Sequence, residues 1–545
     1  MTDAPALRRS LLALAALAAT TPLLAQRQTA VFNGVFVGGA FGKSLVAAPD
    51  RNSDGPDLLV GIPEWFNSAG RAVWLNGQNG QVLSAAIGTG AGTALGLTLS
   101  PAGDLDNDGT QDYVVGTPNA DFNGIDSGHC AAISGATGAV LWTRNGAAGH
   151  RWGESLVAVG DINGDGRNDI AVGAPRTDFG LVSILSGANG TTLRAFTGDP
   201  FTRFGTALAL LRPLGTGPVR LLVSEPMLAA TAGRIWLIDP MQPPASSAVW
   251  QNSGAIGERI GERLSSLGDV NGDGTPDFLC SRSNGRVDVR SGTNGFVLST
   301  ISGPAADDFG DAFAGAGDID RDGIPDIAIG APGTNIQNGA ATVYSGATNA
   351  PLFSLAGAPG SRFGEAIAGV GDLDGDQWPE VAIGAPYYFQ SGVGGVGRIT
   401  VHSLTVTGLA TPFGTGCAGS LAQTPQFSTS ALPRLGQTFN LRITQAPANT
   451  VVAFAQGLSN TLAGAVPLPV DLAAVGAPGC SLLMSNDVLQ AGVTNSSGAA
   501  ILPFAVPPTP VLAGFRWYAQ GAVLTSANAL GLLTTNGIEL RVGHP

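Results

Sequence analysis

The sequence predicts an all-β protein: a seven-bladed β-propeller with cation-binding loops, followed by a β-sandwich. Three observations carry that expectation. A glycine preceded by a large apolar residue recurs at Gly42, Gly96, Gly153, Gly205, Gly261, Gly310 and Gly364, at intervals of 49 to 57 residues. A nine-residue acidic loop follows five of these glycines, between residues 104 and 380. From about residue 409 the acidic loops stop, and short apolar runs alternate with Pro, Gly and Asn turns.

The chain opens with Arg8 and Arg9, the apolar run Leu11 to Ala19 and small residues up to Ala25. This reads as a secretory signal peptide over 1–25, cleaved near Ala25-Gln26, and the paired arginines permit a twin-arginine route. No later segment reaches the ~20 uninterrupted apolar residues that a membrane helix needs. The mature chain is therefore expected to be exported, either secreted or associated with the cell envelope. A chain of 545 residues is too long for one ordinary core. With 80 Gly, 35 Pro and 12% charged residues, its composition suits many short strands and tight turns. The net charge is -13 and Lys43 is the sole lysine, so nucleic acid finds no basic surface here.

Residues 26–408 hold the repeats, and seven units of this length match a closed ring of four-stranded blades. The third unit shows the order. Trp152-Gly153 leads into a strand from Ser155 to Val159, then an acidic loop, then a strand from Asp169 to Val172 and Gly173-Ala174-Pro175. Two further strands, Leu181 to Leu185 and Thr191 to Phe196, flank the turn Ser186-Gly-Ala-Asn-Gly. First strands such as Ala312-Phe-Ala-Gly-Ala are rich in small residues, as crowding near a ring axis requires. The last unit has a third strand, Arg398 to Leu404, but no fourth. Thr29 to Val35 is expected to supply it, which closes the ring and removes a sheet edge.

The acidic loops are Asp104-x-Asp106-x-Asp108-Gly109-Thr110-x-Asp112, Asp161-x-Asn163-x-Asp165-Gly166-Arg167-x-Asp169, Asp269-x-Asn271-x-Asp273-Gly274-Thr275-x-Asp277, Asp318-x-Asp320-x-Asp322-Gly323-Ile324-x-Asp326 and Asp372-x-Asp374-x-Asp376-Gln377-x-x-Glu380. Side-chain oxygens at positions 1, 3, 5 and 9, with a backbone carbonyl at position 7, let one loop wrap a hard cation. Thr110, Arg167, Thr275 and Ile324 would contribute that carbonyl. Glycine at position 6 permits the sharp turn; Gln377 stands there in the last loop, which is expected to be the weakest site. The loops hold 18 of the chain's 40 carboxylates, and such crowding is repulsive without a counter-charge. Five calcium ions would bring the formal charge to about -3. Strand-like rather than helical neighbours argue against an EF-hand.

Phe41-Gly42, Phe204-Gly205, Phe309-Gly310 and Phe363-Gly364, together with Gly173-Ala174-Pro175, Gly330-Ala331-Pro332 and Gly384-Ala385-Pro386, resemble FG-GAP repeats. Over roughly residues 30 to 408 the chain is similar to the seven-bladed propeller of integrin α-subunit heads. The resemblance implies calcium between the first two strands of a blade, away from the main ligand-binding face, and a role in adhesion. The chain departs from the pattern in three units. The first reads Asp50, Asn52, Asp54, Gly55-Pro56-Asp57, one residue short, and is expected to be decayed or atypical. The fourth, Arg212 to Arg220, has no carboxylates, and the fifth reads Cys280-Ser281-Arg282 in place of Gly-Ala-Pro.

Arg151, Arg203, Arg259 and Arg362 stand two residues before the repeating glycine, and Glu154, Glu262, Asp311 and Glu365 follow it. They are expected either to pair between neighbouring blades or to form a solvated rim. In residues 409–545, Phe439 to Ile443, Val451 to Ala455, Ala500 to Phe504 and Phe515 to Ala519 read as strands of a β-sandwich. The runs around Cys417 and Cys480 resemble a C-terminal module of secreted bacterial proteins. The two cysteines are expected to pair, whereas Cys130 and Cys280 read as buried thiols. Trp517-Tyr518 reads as core or edge packing more readily than as a sugar platform.

His129, His150, His402 and His544 are too scattered for a zinc motif, and no nucleophile elbow accompanies them. His150 beside Arg151 and Glu154 is the best catalytic constellation, and it reads more simply as a loop charge cluster. The expected function is thus an exported, calcium-stabilised, non-catalytic binding protein for a protein or glycan ligand outside the cytoplasm. The alternative is a secreted polysaccharide lyase or hydrolase built on a propeller.

Overall fold

The structure, a computed structural model, describes residues 24–543 except 91, 214–216, 377, 407–408, 419–423, 508–511 and 513. Most of the expected signal peptide, Gln377 and His544 lie outside the described residues. The chain folds into two compact units, one over Gln26–Ser403 and another running from Leu404 to the C-terminus.

The first unit contains seven four-stranded sheets. In chain order, the innermost strands are Ser44–Ala48, Thr98–Gly103, Ser155–Gly160, Leu208–Leu211, Leu264–Ser266, Phe313–Gly317 and Ala366–Gly371. Each packs beside the next, and the last packs beside the first, so they form a closed ring. We number the sheets 1 to 7 by these strands. In sheets 1 to 6 all four strands follow one another along the chain. Sheet 7 takes its outer strand from the other end of the unit: Leu24–Asn33 lies beside Arg398–Val406. The closing strand thus begins a few residues earlier than Thr29.

Each second strand is apolar on both faces because it lies between two neighbouring sheets. Asp169–Ala174, for example, is buried at every residue. Packing between sheets explains both recurring motifs. The repeating glycine opens the innermost strand at positive φ, 84° at Gly153 and 89° at Gly364, a conformation costly for residues with a Cβ. Its N–H donates to the second strand of its own sheet, as from Gly153 to the carbonyl of Gly173 at 3.0 Å. The Gly-Ala-Pro glycine is needed because the next sheet's repeating glycine presses its carbonyl into the space a Cβ would take. Gly173 meets Gly205 in this way, Gly330 meets Gly364, and Gly384 meets Gly42 across the closure of the ring.

The second unit pairs a five-stranded sheet with a three-stranded one. The larger sheet runs in the order Leu409–Phe413, Leu532–Arg541, Arg516–Leu524, Val451–Gly457, Val488–Val493. The smaller is Gln426–Thr429, Thr438–Thr444, Ala500–Ala505. One core draws Phe427, Phe439, Leu441 and Ile443 from the small sheet against Phe454, Trp517 and Leu540 from the large one. Trp517 is buried and stacks on Phe504 and Phe515, so it serves the core. Cys417 and Cys480 form a disulfide. Cys130 and Cys280 are buried free thiols, and burial pushes the pKa of each up to about 12.

Candidate metal centres

Every acidic loop joins the first strand of a sheet to the second, so all five lie at one end of the ring. The same hydrogen bonds shape the loops of sheets 2, 3, 5 and 6. Position 1 accepts from the glycine N–H at position 6, as Asp161 from Gly166 at 2.8 Å and Asp318 from Gly323 at 3.0 Å. It also accepts from the N–H of position 5, as Asp104 from Asp108 at 3.1 Å. For Asp161, the N–H of Gly166 and its neighbours hold the carboxyl below its ordinary range.

Position 9 is different. Asp112, Asp169, Asp277, Asp326 and Glu380 are fully buried at the base of the second strand. One oxygen of each accepts the N–H of position 2, at 2.6 Å for Leu105 to Asp112 and 2.7 Å for Ile319 to Asp326. The other oxygen of the four aspartates accepts a glycine N–H from the turn between the third and fourth strands: Gly135, Gly187, Gly292 and Gly346, at 2.7 to 3.0 Å. Sheet 7 has no such hairpin, because its fourth strand comes from the N-terminus. Accordingly, among the described residues, Oε1 of Glu380 is buried without a hydrogen-bond partner. Burial raises all five carboxyls, Asp326 to about 7 and Glu380 to about 8.

Three sets of carboxylates converge with ligand atoms within 4.8 Å of one another: Asp104, Asp106 and Asp108; Asp318, Asp320 and Asp326; Asp372, Asp374 and Glu380. Asn163 and Asn271, at position 3, instead donate to Asp165 and Asp273 at 2.9 and 3.1 Å. An all-oxygen donor set crowded around one point suits a hard divalent cation. The loop of sheet 7 has a further neighbour, since Arg27 lies 3.0 Å from both Asp374 and Asp376.

The two irregular units resolve differently. The short first loop keeps the scaffold: Asp50 accepts from Gly55 at 3.1 Å, and buried Asp57 stands in the place of position 9, accepting from Arg51, Trp74 and Gly77. Sheet 4 reverses the charge. Arg220 opens its second strand and pairs with Asp239 at 3.0 Å.

Connections between second and third strands, and between one sheet and the next, lie at the opposite end of the ring. Arg151–Glu154, Arg259–Glu262 and Arg362–Glu365 pair there, three residues apart within a single element, because each repeating turn folds its arginine back onto its own acid. The expected pairing between blades is therefore mostly replaced by local pairing. Links between sheets do occur from Lys43 to Glu365 and from Arg362 to Asp308. Arg151 Nε binds Glu154 at 2.7 Å, which engages the carboxylate that His150 would need as a catalytic partner. His402 is buried between Gln26 and Thr400, and His129 bonds Asn145. This end also carries large exposed apolar side chains: Phe66, Ile125, Phe179, Phe201, Ile256 and Ile336, the last 93% exposed. Phe66 and Ile336 sit in turns of successive positive-φ residues, Phe66–Ser68 and Asn335–Gln337. Sequence reasoning missed this apolar end, because single Phe and Ile residues in turns do not stand out from the many in the strands.

Among known families, the FG-GAP repeat matches residues 152–185 and 363–402, and the FG-GAP-like repeat matches 269–329. Integrin alpha-PS5 of Drosophila melanogaster is 32% identical over 167 residues, 27% of this chain and 16% of that protein. Integrin alpha-4 of Xenopus laevis is 35% identical over 165 residues, with the same shares. The chain thus spans about one sixth of the length of these relatives. Among solved structures, the Dos1 propeller superposes with a TM-score of 0.39 and 13% identity, covering 64% of this chain and 74% of that one. With seven sheets in a closed ring and FG-GAP repeats matched in several of them, the chain folds as a β-propeller that carries FG-GAP repeats and is similar to that of integrin α-subunits.

Proposed function

We propose that this is an exported, calcium-stabilised, non-catalytic binding protein that presents one end of its propeller to a macromolecular ligand outside the cytoplasm. The observation that carries this reading is the separation of the two ends. Carboxylate loops gather at one end, and exposed apolar side chains such as Phe66, Ile256 and Ile336 gather at the other. Large apolar side chains that a fold leaves exposed at one end of it are available to an interaction surface. The resemblance to integrin α-subunits favours adhesion or cell-envelope organisation. Among the described residues no helix is long and apolar enough to cross a membrane.

Calcium fits the loops of sheets 2, 3, 5 and 6. There, buried position-9 carboxylates, position-1 acids that are half-buried at Asp104, Asp269 and Asp318, and exposed position-5 acids surround a glycine turn. A cation that binds the folded loops and not the unfolded chain stabilises the ring by mass action. Extracellular sites work even when weak, because calcium is abundant outside the cell.

The test uses the mature chain on arrays of glycans and of cell-surface proteins, with and without chelator. Ile336→Asp and Ile256→Asp are expected to abolish capture while metal content and melting temperature stay unchanged. Capture that survives both substitutions would reject the apolar end as the binding surface. Release of new reducing or unsaturated sugar ends would make the protein an enzyme.

A further inference from the structure

The seventh acidic loop departs from its siblings, and the departure begins with where the outer strand of its sheet comes from. Leu24–Asn33 crosses from the N-terminus to complete sheet 7, and this carries Arg27 to the acidic end of the ring. There its guanidinium forks, Nη2 lying 3.0 Å from Asp374 Oδ2 and Nη1 lying 3.0 Å from Asp376 Oδ2. These are positions 3 and 5, two of the side chains that would hold a cation. A planar guanidinium bridging two carboxylates is a strong, directional arrangement. A second guanidinium stands close by: Arg321 of the sheet 6 loop lies 4.4 Å from the ring of Trp378 and feels the charges of Asp372 and Asp376. Together the two arginines bring the same charge as one calcium ion. Among the described residues, no carboxylate of loops 104–112, 161–169 or 269–277 has an ion pair with arginine. The chain also carries Gln377 where those loops have glycine.

We propose that Arg27 is the resident cation of the seventh loop, so that this loop is neutralised by the closing strand and excludes a divalent metal. The residues at this loop therefore do not fit calcium while the strand is in place. Ring closure and neutralisation of the loop are one event. A metal at positions 3 and 5 must displace Arg27, which would leave that arginine without its partners. The seam of the ring is then held without metal, while the loops of the other sheets depend on it. This rests on reading those other loops as calcium sites.

Trp378, at position 7 of this loop, makes the idea readable. Its indole beside the loop would sensitise emission from a terbium ion bound there. The full mature chain is titrated with terbium under tryptophan excitation, alongside Trp378→Phe. Calcium equivalents are counted by elemental analysis in wild type and in Arg27→Gln. The wild type and Trp378→Phe are expected to give the same terbium emission. Arg27→Gln should gain Trp378-dependent emission and one further equivalent of calcium. Trp378-dependent emission in the wild type, or no gain in Arg27→Gln, would overturn the proposal. If Arg27→Gln fails to fold, the wild-type comparison alone decides. Metal missing from the wild type altogether would instead refute calcium at the other loops, so the two failures are distinct.

Discussion

Glu225 and Arg234 form an ion pair across neighbouring strands of sheet 4, with Arg234 Nε 2.9 Å from Glu225 Oε2, the arginine being half-buried and also paired with Asp199. Glu225 is fully buried, and its remaining capacity is taken up by the N–H of Asp199, the hydroxyl of Thr202 and the indole N–H of Trp236. It occupies the alanine place of the Gly-Ala-Pro element, in a sheet that has no acidic loop. Sheet 4 therefore has a polar network at the end opposite the one where its neighbours have carboxylate nests.

Removing Glu225 takes the acceptor from three buried or half-buried donors, while Arg234 keeps its second partner, Asp199. Glu225→Ala is expected to lower stability by about 1 to 3 kcal/mol, and Glu225→Gln by less, since the amide oxygen still accepts from Thr202 and Asp199. Urea unfolding of both variants measures the loss. Because sheet 4 has no acidic loop, the loss should be the same with chelator present; a loss that disappears on chelation would contradict this.

The ring is legible in the sequence because its causes are local and periodic. Gly153 and Gly173 must lack side chains for packing reasons that repeat in neighbouring sheets, and Asp161 to Asp169 carry their ligand spacing within nine residues. What stays hidden depends on pairings distant in sequence. Arg27 meets Asp376 across 349 residues, and nothing near Arg27 announces an acidic partner. The first loop reads as decayed because one residue is missing, yet Asp57 still reaches the buried place by accepting from Trp74 and Gly77. The spacing of Arg151 and Glu154 suggests pairing between blades, but a three-residue separation in a tight turn lets the two meet each other first.

If the loop of sheet 6 takes calcium as proposed, Asp326 couples that binding to pH. Burial raises its carboxyl to about 7, helped by the nearby charge of Asp320, so in metal-free protein at pH 7 it is close to half protonated. Calcium needs the ionised form, and binding should release roughly 0.5 proton from this group. Calorimetric titration in two buffers of different ionisation enthalpy reads that release, and Asp326→Asn should remove it and weaken binding. Identical heats in both buffers would count against it. In chelator, the raised carboxyl favours the fold at low pH, and that contribution is lost as pH rises through about 7.

His402 acts with the opposite sign. Burial lowers it to about 4, so the fold holds it neutral beside Gln26 and Thr400. Its contribution is complete above the unfolded value of about 6.5 and is lost as pH falls toward about 4. The loss is on the order of 2 to 3 kcal/mol. Comparing melting of the wild type and His402→Asn from pH 7 to pH 4 isolates it, since the carboxylates titrate in both. Parallel curves would mean that His402 is solvated and unconstrained.

The disulfide concerns the other unit. Cys417 and Cys480 close a loop of 63 residues within the sandwich, and both lie in its core. A cross-link of that span limits the unfolded chain, which by loop-closure entropy is worth about 4 kcal/mol. Among the described residues, all seven ring sheets lie outside this loop, so Cys417→Ala with Cys480→Ala should lower only the sandwich transition in differential scanning calorimetry. The transition of the ring should stay where it is. An equal shift of both would mean that the two units unfold as one, with the bridge stabilising the whole chain rather than its C-terminal part.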